Sequence, residues 1–413
     1  MNSSSEKVTE ENFDPSEKSS LAFAVGFFFS ARAIVALFLV RVLGTDPSAG
    51  AGTALILSFL LFGFTYFDSL GPEKRTFSSM LQVPSIRWVL VFLTFSACSL
   101  TWSVTVSPAV SIAYWFGMAS DVAIVVLMLR GGSVTGISHS VMKGFIWGTC
   151  LLALIAWLMP AQSDLRLGDE DFFNANQIGN LCAFAIFLAQ YLMRRKDGRW
   201  GLIALFLVVT LIRSLSKTTI AAFLLSESFL LIQDRSISRK TKILLTTAAM
   251  LAILVFWGLF EAYYDIYTSN ADQAETLTGR TAIWAYVSIE ALEKPWIGHG
   301  FDSMWKVIPP FGLFEARHAE NELLQQFYTY GAVGIVMLVG LYGSLYQRIR
   351  KLPRGPLKII FTSIVIFVIV RGIAEAEPFD LLLPLWSIVL ISMLVDRETT
   401  TDQEMAIVSP STY

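Results

Sequence analysis

Cysteine and histidine are scarce in this chain, with three of each in 413 residues. Cys98, Cys150 and Cys182 stand singly inside apolar runs, without the paired spacing of a disulfide framework or a zinc site, and read as packing residues. His139 and His299 also lack metal-ligand spacing. Charged side chains make up only 15% of the chain, and a formal net charge of −2 offers no single-sign field to draw a nucleic acid. What the chain has in excess is apolar surface. With 54% hydrophobic side chains it cannot easily be wrapped into a water-soluble globule, so it reads as an all-α polytopic membrane protein.

A bilayer core of about 30 Å asks for roughly 20 apolar residues per helix. Runs of that kind fall near residues 21–43, 49–67, 86–103, 108–129, 140–159, 177–193, 200–215, 218–233, 243–260, 322–346, 357–374 and 379–395. They predict about 12 transmembrane helices, nine within residues 21–260 and three within 322–395, with one long loop at 261–321. Residues 1–20 and 396–413 are polar and acidic or low in apolar content, which predicts disordered tails. The first of them has neither the basic start nor the short apolar core of a cleavable signal peptide.

Three short loops are rich in Lys and Arg: "RRKDGR" (194–199), "DRSISRKTK" (234–242) and "QRIRKLPRGPLK" (347–358). An alternating path through the spans puts all three on one side, which the positive-inside rule makes cytoplasmic, together with both tails. The opposite side then holds "MPAQSDLRLGDEDFFNANQ", the "RSLSK" turn, the loop at 261–321 and "RGIAEAEPFD". Within the long loop, "TGRTAIWAYVSIEALEK" predicts a helix beginning near Thr278 and Gly279, with Ile283, Trp284, Val287, Ala291 and Leu292 along one face. Pro295, Gly298 and Gly300 then end it.

Cations on the outer side need a reason, and Arg166, Arg213, Lys217, Arg280, Arg317 and Arg371 all fall there. Ordinary ion pairing is the simplest: Asp164 and Asp169 for Arg166, Glu315 for Arg317, Glu375 and Glu377 for Arg371. Arg213 and Lys217 have no acid near them in sequence, and an unpaired cation at membrane depth marks a ligand, a counter-ion or a pathway. Several guanidiniums at one cavity suit a diphosphate, which they bind in a bidentate way. Arg32, Asp121 and Glu227 lie inside apolar runs and read as structural contacts between helices.

The stretches "TGRTAIW", "EKPWIGHGFDSMW" and "ARHAENELLQQFYTYGAVG" come in that order, after "SLTWSVTVSPAVS", "RLGDEDFFNANQIGN" and "RSLSKTTIAAFLLS". Over residues 90–345 this resembles the O-antigen ligase and polysaccharide polymerase superfamily of bacterial membrane glycosyltransferases. The resemblance implies a GT-C-like fold in the bacterial inner membrane, with a partly helical periplasmic loop. It also implies transfer of a glycan from a polyprenyl diphosphate carrier to a sugar hydroxyl, on a glycan or lipid-linked acceptor, without metal or other cofactor. Carried over by motif, Arg166, Arg213, Arg280 and Lys217 hold the diphosphate, with Arg317 and Arg371 as further candidates. The partners implied are the donor, the acceptor, membrane lipids and other polysaccharide export or assembly proteins.

The proton acceptor is His318 or Glu320. The family places a histidine eleven positions before a glycine, and counting back from Gly331 reaches Glu320, with His318 two residues earlier. Imidazole titrates near neutrality, which puts His318 first, whereas a helix amino end favours an anionic Glu320. A capping cluster would explain Asn321 equally well. Twelve spans with buried charges also fit a secondary transporter, but no internal repeat is visible and only "RRKDGR" lies between the sixth and seventh spans.

Overall fold

The structure is a computed structural model describing residues 15–70, 75–162, 165–169, 174–258, 261–262, 280–311 and 315–408. Among these residues it is all-helical in its long elements. In chain order they are α1 (Pro15–Leu37, extended by a π turn Phe38–Val42), α2 (Pro47–Asp68), the short α3 (Phe77–Met80), α4 (Pro84–Ser99), α5 (Pro108–Gly131), α6 (Val134–Leu158) and α7 (Ala175–Arg194). Then come α8 (Gly201–Arg213), α9 (Lys217–Gln233), α10 (Arg239–Val255), α11 (Arg280–Glu293), α12 (Glu322–Lys351), α13 (Pro356–Arg371) and α14 (Leu385–Val408). Pro84, Pro108 and Pro356 open their helices, where the missing amide is no loss. Ser133, Asn174 and Asn321 cap α6, α7 and α12 by accepting a backbone amide two or three residues into each helix.

Every stretch expected to span the membrane overlaps one of these helices. The last begins at Leu385 rather than near 379 and continues to Val408, so residues 396–408 prolong a helix. By length and composition Ser19–Val42, Pro108–Gly131, Val134–Leu158 and Glu322–Lys351 are long and apolar enough to cross a membrane, and Gly52–Asp68, Pro84–Ser99 and Gly201–Arg213 are shorter apolar helices. The chain is a multi-pass membrane protein. Residues 1–14, 263–279 and 409–413, which include the expected helix start at Thr278 and Gly279, lie outside the described residues.

The basic loops do converge on one end of the bundle. Arg194 reaches Asp234 at 2.5 Å, Arg195 pairs with Glu398, and Arg348 pairs with Asp396. Ser19 in α1 meets Ser140 near the start of α6 at 2.7 Å, so this end also carries the first turns of α1. Between the ends, α1 and α6 approach until their backbones touch. Gly26 in one and Gly144 and Gly148 in the other leave no room for a Cβ, the small-residue packing that holds helices together in lipid. The intramembrane charges are paired across helices, Arg32 with Asp121 at 2.7 Å and Gln190 with Glu227 at 2.8 Å, the structural role expected of them.

At the other end, the chain after α11 docks into a break in α12. Gly331 sits at φ 63°, ψ −152° within Glu322–Lys351, and the helix hydrogen bonds lost there are replaced by the incoming loop. The Ala332 amide donates to the Pro295 carbonyl at 2.7 Å and Val333 to Trp296 at 3.2 Å. In return, the His299 and Gly300 amides donate to the carbonyls of Tyr328 (3.0 Å) and Thr329 (2.8 Å). His299 stacks on Tyr328, with ring centroids 4.4 Å apart, which gives this histidine a packing role. A small apolar core of Ile283, Val287, Ala291, Met304, Ile308, Ala316, Ala319 and Tyr328 sits beneath the loop. Of the face expected on α11, Ile283, Val287 and Ala291 are buried, Trp284 is half-buried and Leu292 is exposed. The lower half of α11 therefore turns a second apolar edge outward.

Candidate active site

The starts of α7, α9, α11 and α12 meet at this end around the site. Their unpaired amides and macrodipoles make the space between them favourable to an anion. The α8–α9 turn is tight. Leu215 has φ 58°, the Ser214 hydroxyl donates back to Leu211, and Ser216 begins the next helix. This geometry brings Thr218 and Thr219, in the first turn of α9, toward the starts of α7 and α11 and the end of α13.

The centre of the site is Glu375, in the loop after α13. It is buried, and one carboxylate oxygen, Oε1, accepts from Arg280 at 2.8 Å and from the Asn176 amide at 2.6 Å. The other oxygen lies 3.8 Å from Arg371. Arg371 is itself only 1% exposed, with its Nε on the Thr219 hydroxyl at 3.3 Å and Glu377 at 3.9 Å. Arg166 joins through Asn176, donating to its side-chain oxygen at 2.5 Å, and the Ser216 hydroxyl lies 2.9 Å from the same oxygen. Burial, then the nearby Glu320, raise the Glu375 carboxyl above its usual range by more than Arg371 and Arg280 offset.

Arg280 links this centre to the proton-acceptor candidates. Its guanidinium donates through Nε to Glu320 at 3.1 Å and through a terminal nitrogen to Thr218 at 3.3 Å, in addition to Glu375. Glu320 has φ 53°, a left-handed conformation that costs a non-glycine residue about 1 kcal/mol or more. The Trp284 indole donates to its carbonyl at 3.3 Å, and its own amide donates to His318 Nδ1 at 3.3 Å. His318 Nδ1 also lies 3.7 Å from the second Glu320 oxygen. Asn321 caps α12 by accepting from Leu324 at 2.9 Å and donates to Ile373 at 2.8 Å, the capping role expected for it.

The structure thus gathers Arg166, Arg280 and Arg371 around one carboxylate, with Glu320 and His318 alongside. Arg213 stands beside them, donating to the Leu165 carbonyl at 2.8 Å with its guanidinium 5.9 Å over the Trp157 ring. Lys217, the first residue of α9, has an exposed side chain. Arg317 lies apart, 5.6 Å over the Trp305 ring. Arg371 takes the partners expected of it, Glu375 and Glu377. Asp169, one expected partner of Arg166, is held by Arg41 at 2.8 Å, and Asp164 lies outside the described residues. Sequence reasoning missed Asn176, Thr218, Thr219 and the sharing of Glu375. The signal for Asn176 was its place in "RLGDEDFFNANQIGN", directly at a helix start.

Residues 202–339 match the family model described as O-Antigen ligase. The chain is similar to an O-antigen ligase of Pseudomonas aeruginosa, at 25% identity over 100 residues, covering 24% of this chain and 25% of that protein. It is similar also to the exopolysaccharide production protein ExoQ of Rhizobium meliloti, at 23% identity over 336 residues, 71% of this chain and 73% of that protein. The chain therefore spans about a quarter of the first relative and most of the second.

Proposed function

We propose, for a chain whose residues 202–339 match the O-antigen ligase model, that it transfers a glycan from a polyprenyl diphosphate to a sugar hydroxyl at the Arg280 site. The observation carrying this is one guanidinium bridging a buried carboxylate, Glu375, and a second carboxylate held in a strained turn, Glu320. The departing diphosphate gains negative charge as the glycosidic bond breaks. Arg280, Arg371, Arg166 and the amino ends of α7 and α9 are fixed positive groups where that charge develops, and they stabilise it without a metal. Arg213 and Lys217, at the adjoining turn, hold the rest of the diphosphate.

Glu320 takes the proton from the acceptor hydroxyl. Its Oε2 is occupied by Arg280, and Oε1 is the oxygen turned toward His318. The His318 Nδ1 lone pair already accepts the Glu320 amide, which leaves the neutral ring with its proton on Nε2. His318 is then a donor through Nε2, on the ring edge away from Glu320, that orients the acceptor. All twelve long helices other than α3 and α11 cross the bacterial inner membrane, with the basic loops in the cytoplasm and this site on the periplasmic face. The alignment with a protein of exopolysaccharide production over 71% of the chain supports an exopolysaccharide as the product, and polymerisation is the activity proposed here.

Glycan transfer in reconstituted membranes, from a polyprenyl-diphosphate oligosaccharide with EDTA present, tests this. The parent should transfer, Glu320→Gln should lose about 100-fold or more, and His318→Ala should lose less. Transfer that needs added metal, or is unchanged in Glu320→Gln, would remove the mechanism. Deleting the gene should abolish or shorten the polymer; polymer of normal length left unattached would favour ligation.

A further inference from the structure

Glu322, the first residue of α12, is only 4% exposed, and neither the capping of that helix nor the proposed proton transfer uses it. At a helix amino end a glutamate ordinarily faces water, where it answers the macrodipole without being desolvated. Here it turns inward. A buried carboxylate is expensive unless its oxygens are hydrogen-bonded, and an apolar side chain of similar volume would pack in its place at less cost.

The carboxylate is a junction. Its Oε1 accepts from the Tyr342 hydroxyl at 2.8 Å and from the Leu382 amide at 2.9 Å, and the Glu322 amide donates to the Gly372 carbonyl at 2.9 Å. On one unbroken helix Glu322 and Tyr342 would stand about 30 Å apart. The break at Gly331 folds the two halves of α12 against each other, with Gly334 against the Gln326 carbonyl, and so returns the tyrosine to the glutamate. Gly372 and Leu382 bound the segment that carries Glu375 and Glu377. One side chain therefore joins both halves of α12 to the far end of that segment, while its backbone holds the near end. Asn321 adds a further tie through the Ile373 carbonyl at 2.8 Å.

Both carboxylates of the site lie next to this junction. Glu320 precedes Glu322 by two residues and Glu375 follows Gly372 by three, and Arg280 spans the two, at 3.1 Å from one and 2.8 Å from the other. We infer that Glu322 is a positioning residue for the transfer, fixing the proton acceptor Glu320 in register with the Glu375 centre where the diphosphate is held. The inference rests on the glycosyl-transfer reading above. Acceptor oxygen and departing diphosphate must be aligned across one carbon atom, and a displacement of about 1 Å can cost about 100-fold. Arg166, Arg213 and Arg371 stand on other segments and still bind the donor, so loss of Glu322 slows the chemical step rather than weakening binding.

The test uses the full chain in lipid nanodiscs, with sites counted by the stoichiometry of bound labelled polyprenyl diphosphate and kcat taken per site, which removes any loss of folded protein. Glu322→Leu should lose about 100-fold in kcat with donor KM changed by less than about threefold. Glu322→Gln keeps the accepting oxygen and should stay within about threefold of the parent. Two milder lesions reach the same contact. Tyr342→Phe removes one donor, and in Gly372→Ala the Cβ would stand 3.1 Å from Glu322 Oε2. Each should lose about tenfold in kcat. Parent kcat per site in Glu322→Leu, or in both milder variants if Glu322→Leu does not fold, overturns the inference. So does a loss in Glu322→Gln equal to that in Glu322→Leu, which would make the charge and not the tether the agent. Hydrogen exchange gives a reading apart from activity: it should quicken over residues 372–382 in Glu322→Leu and stay at the parent rate in α5 and α6, and unchanged exchange of that segment also overturns the inference. If the parent transfers no glycan the enzymatic reading fails, while exchange still decides whether Glu322 holds the segment.

Discussion

The two ends of the bundle are both rich in charge but spend it differently. At the basic end, cations and acids pair almost one to one between helix ends and loops: Arg194 with Asp234, Arg195 with Glu398, Arg348 with Asp396, and Lys143 with Asp197 at 2.7 Å. At the other end, Arg280 and Arg371 share one buried carboxylate, Glu375, which Arg166 reaches only through Asn176, and Arg280 extends to Glu320. One-to-one pairs at a wet rim fasten loops and set orientation, each worth about 1 kcal/mol or less. A shared, buried centre is expensive to assemble, and such a cost is retained where charge must be handled.

Breaking the shared centre should matter far more than breaking a rim pair. The largest effect is expected in Glu320→Gln, about 100-fold or more in transfer with donor binding retained, because the substitution removes a proton acceptor and leaves the arginines in place. Next is Gly331→Ala. A Cβ there would overlap the backbone at Trp296 and force an L residue to φ 63°, so the 295–300 loop must lift from α12. A loss of about 3 kcal/mol is expected, read as a lower midpoint of thermal unfolding. Glu375→Gln should cost about 2 kcal/mol of stability and weaken the donor's hold, since Arg280 and Arg371 lose their common counter-ion. Lys143→Ala, at the basic end, should cost less than about 1 kcal/mol and leave transfer unchanged.

A smaller effect sharpens the comparison through pH. Asp302, beneath the loop, accepts from the Ser111 hydroxyl at 2.7 Å, with the Thr105 hydroxyl at 3.4 Å. Burial raises its carboxyl, against the two hydroxyls that lower it. The folded state therefore holds this proton at a pH where the unfolded chain has released it, and stability falls as pH rises from about 4 through the raised value. At the basic end Asp197 goes the other way. Burial alone would raise it, but Lys143 and His139 outweigh that and lower it, so its stabilisation is present at neutral pH and lost on acidification. Asp302→Asn should flatten the fall in thermal stability between mildly acidic and neutral pH; a steeper fall would contradict the assignment.

The helices were legible in the sequence because lipid demands long apolar runs, and the runs had proline starts, asparagine caps and basic loops to bound them. That the basic loops meet at one end of the bundle was legible from their alternation between the runs. Asn321 and the arginines could be named because polar residues stand out against an apolar background. The role of Glu375 could not, since its partners lie 199 and 95 residues away in Asn176 and Arg280, and nothing local marks their meeting. The break at Gly331 was also hidden. The glycine served as a landmark for counting, but only the docked loop shows why a left-handed residue is needed within a span.

The most direct measurement is binding of a labelled polyprenyl diphosphate to the purified protein in nanodiscs, comparing Arg280→Ala with Arg194→Ala. Losing charge-assisted hydrogen bonds worth roughly 1.5–3 kcal/mol should weaken binding by about 10-fold or more in Arg280→Ala and leave Arg194→Ala at the parent value. Equal affinities in the two variants would contradict the claim that the shared carboxylate centre is where the donor is held.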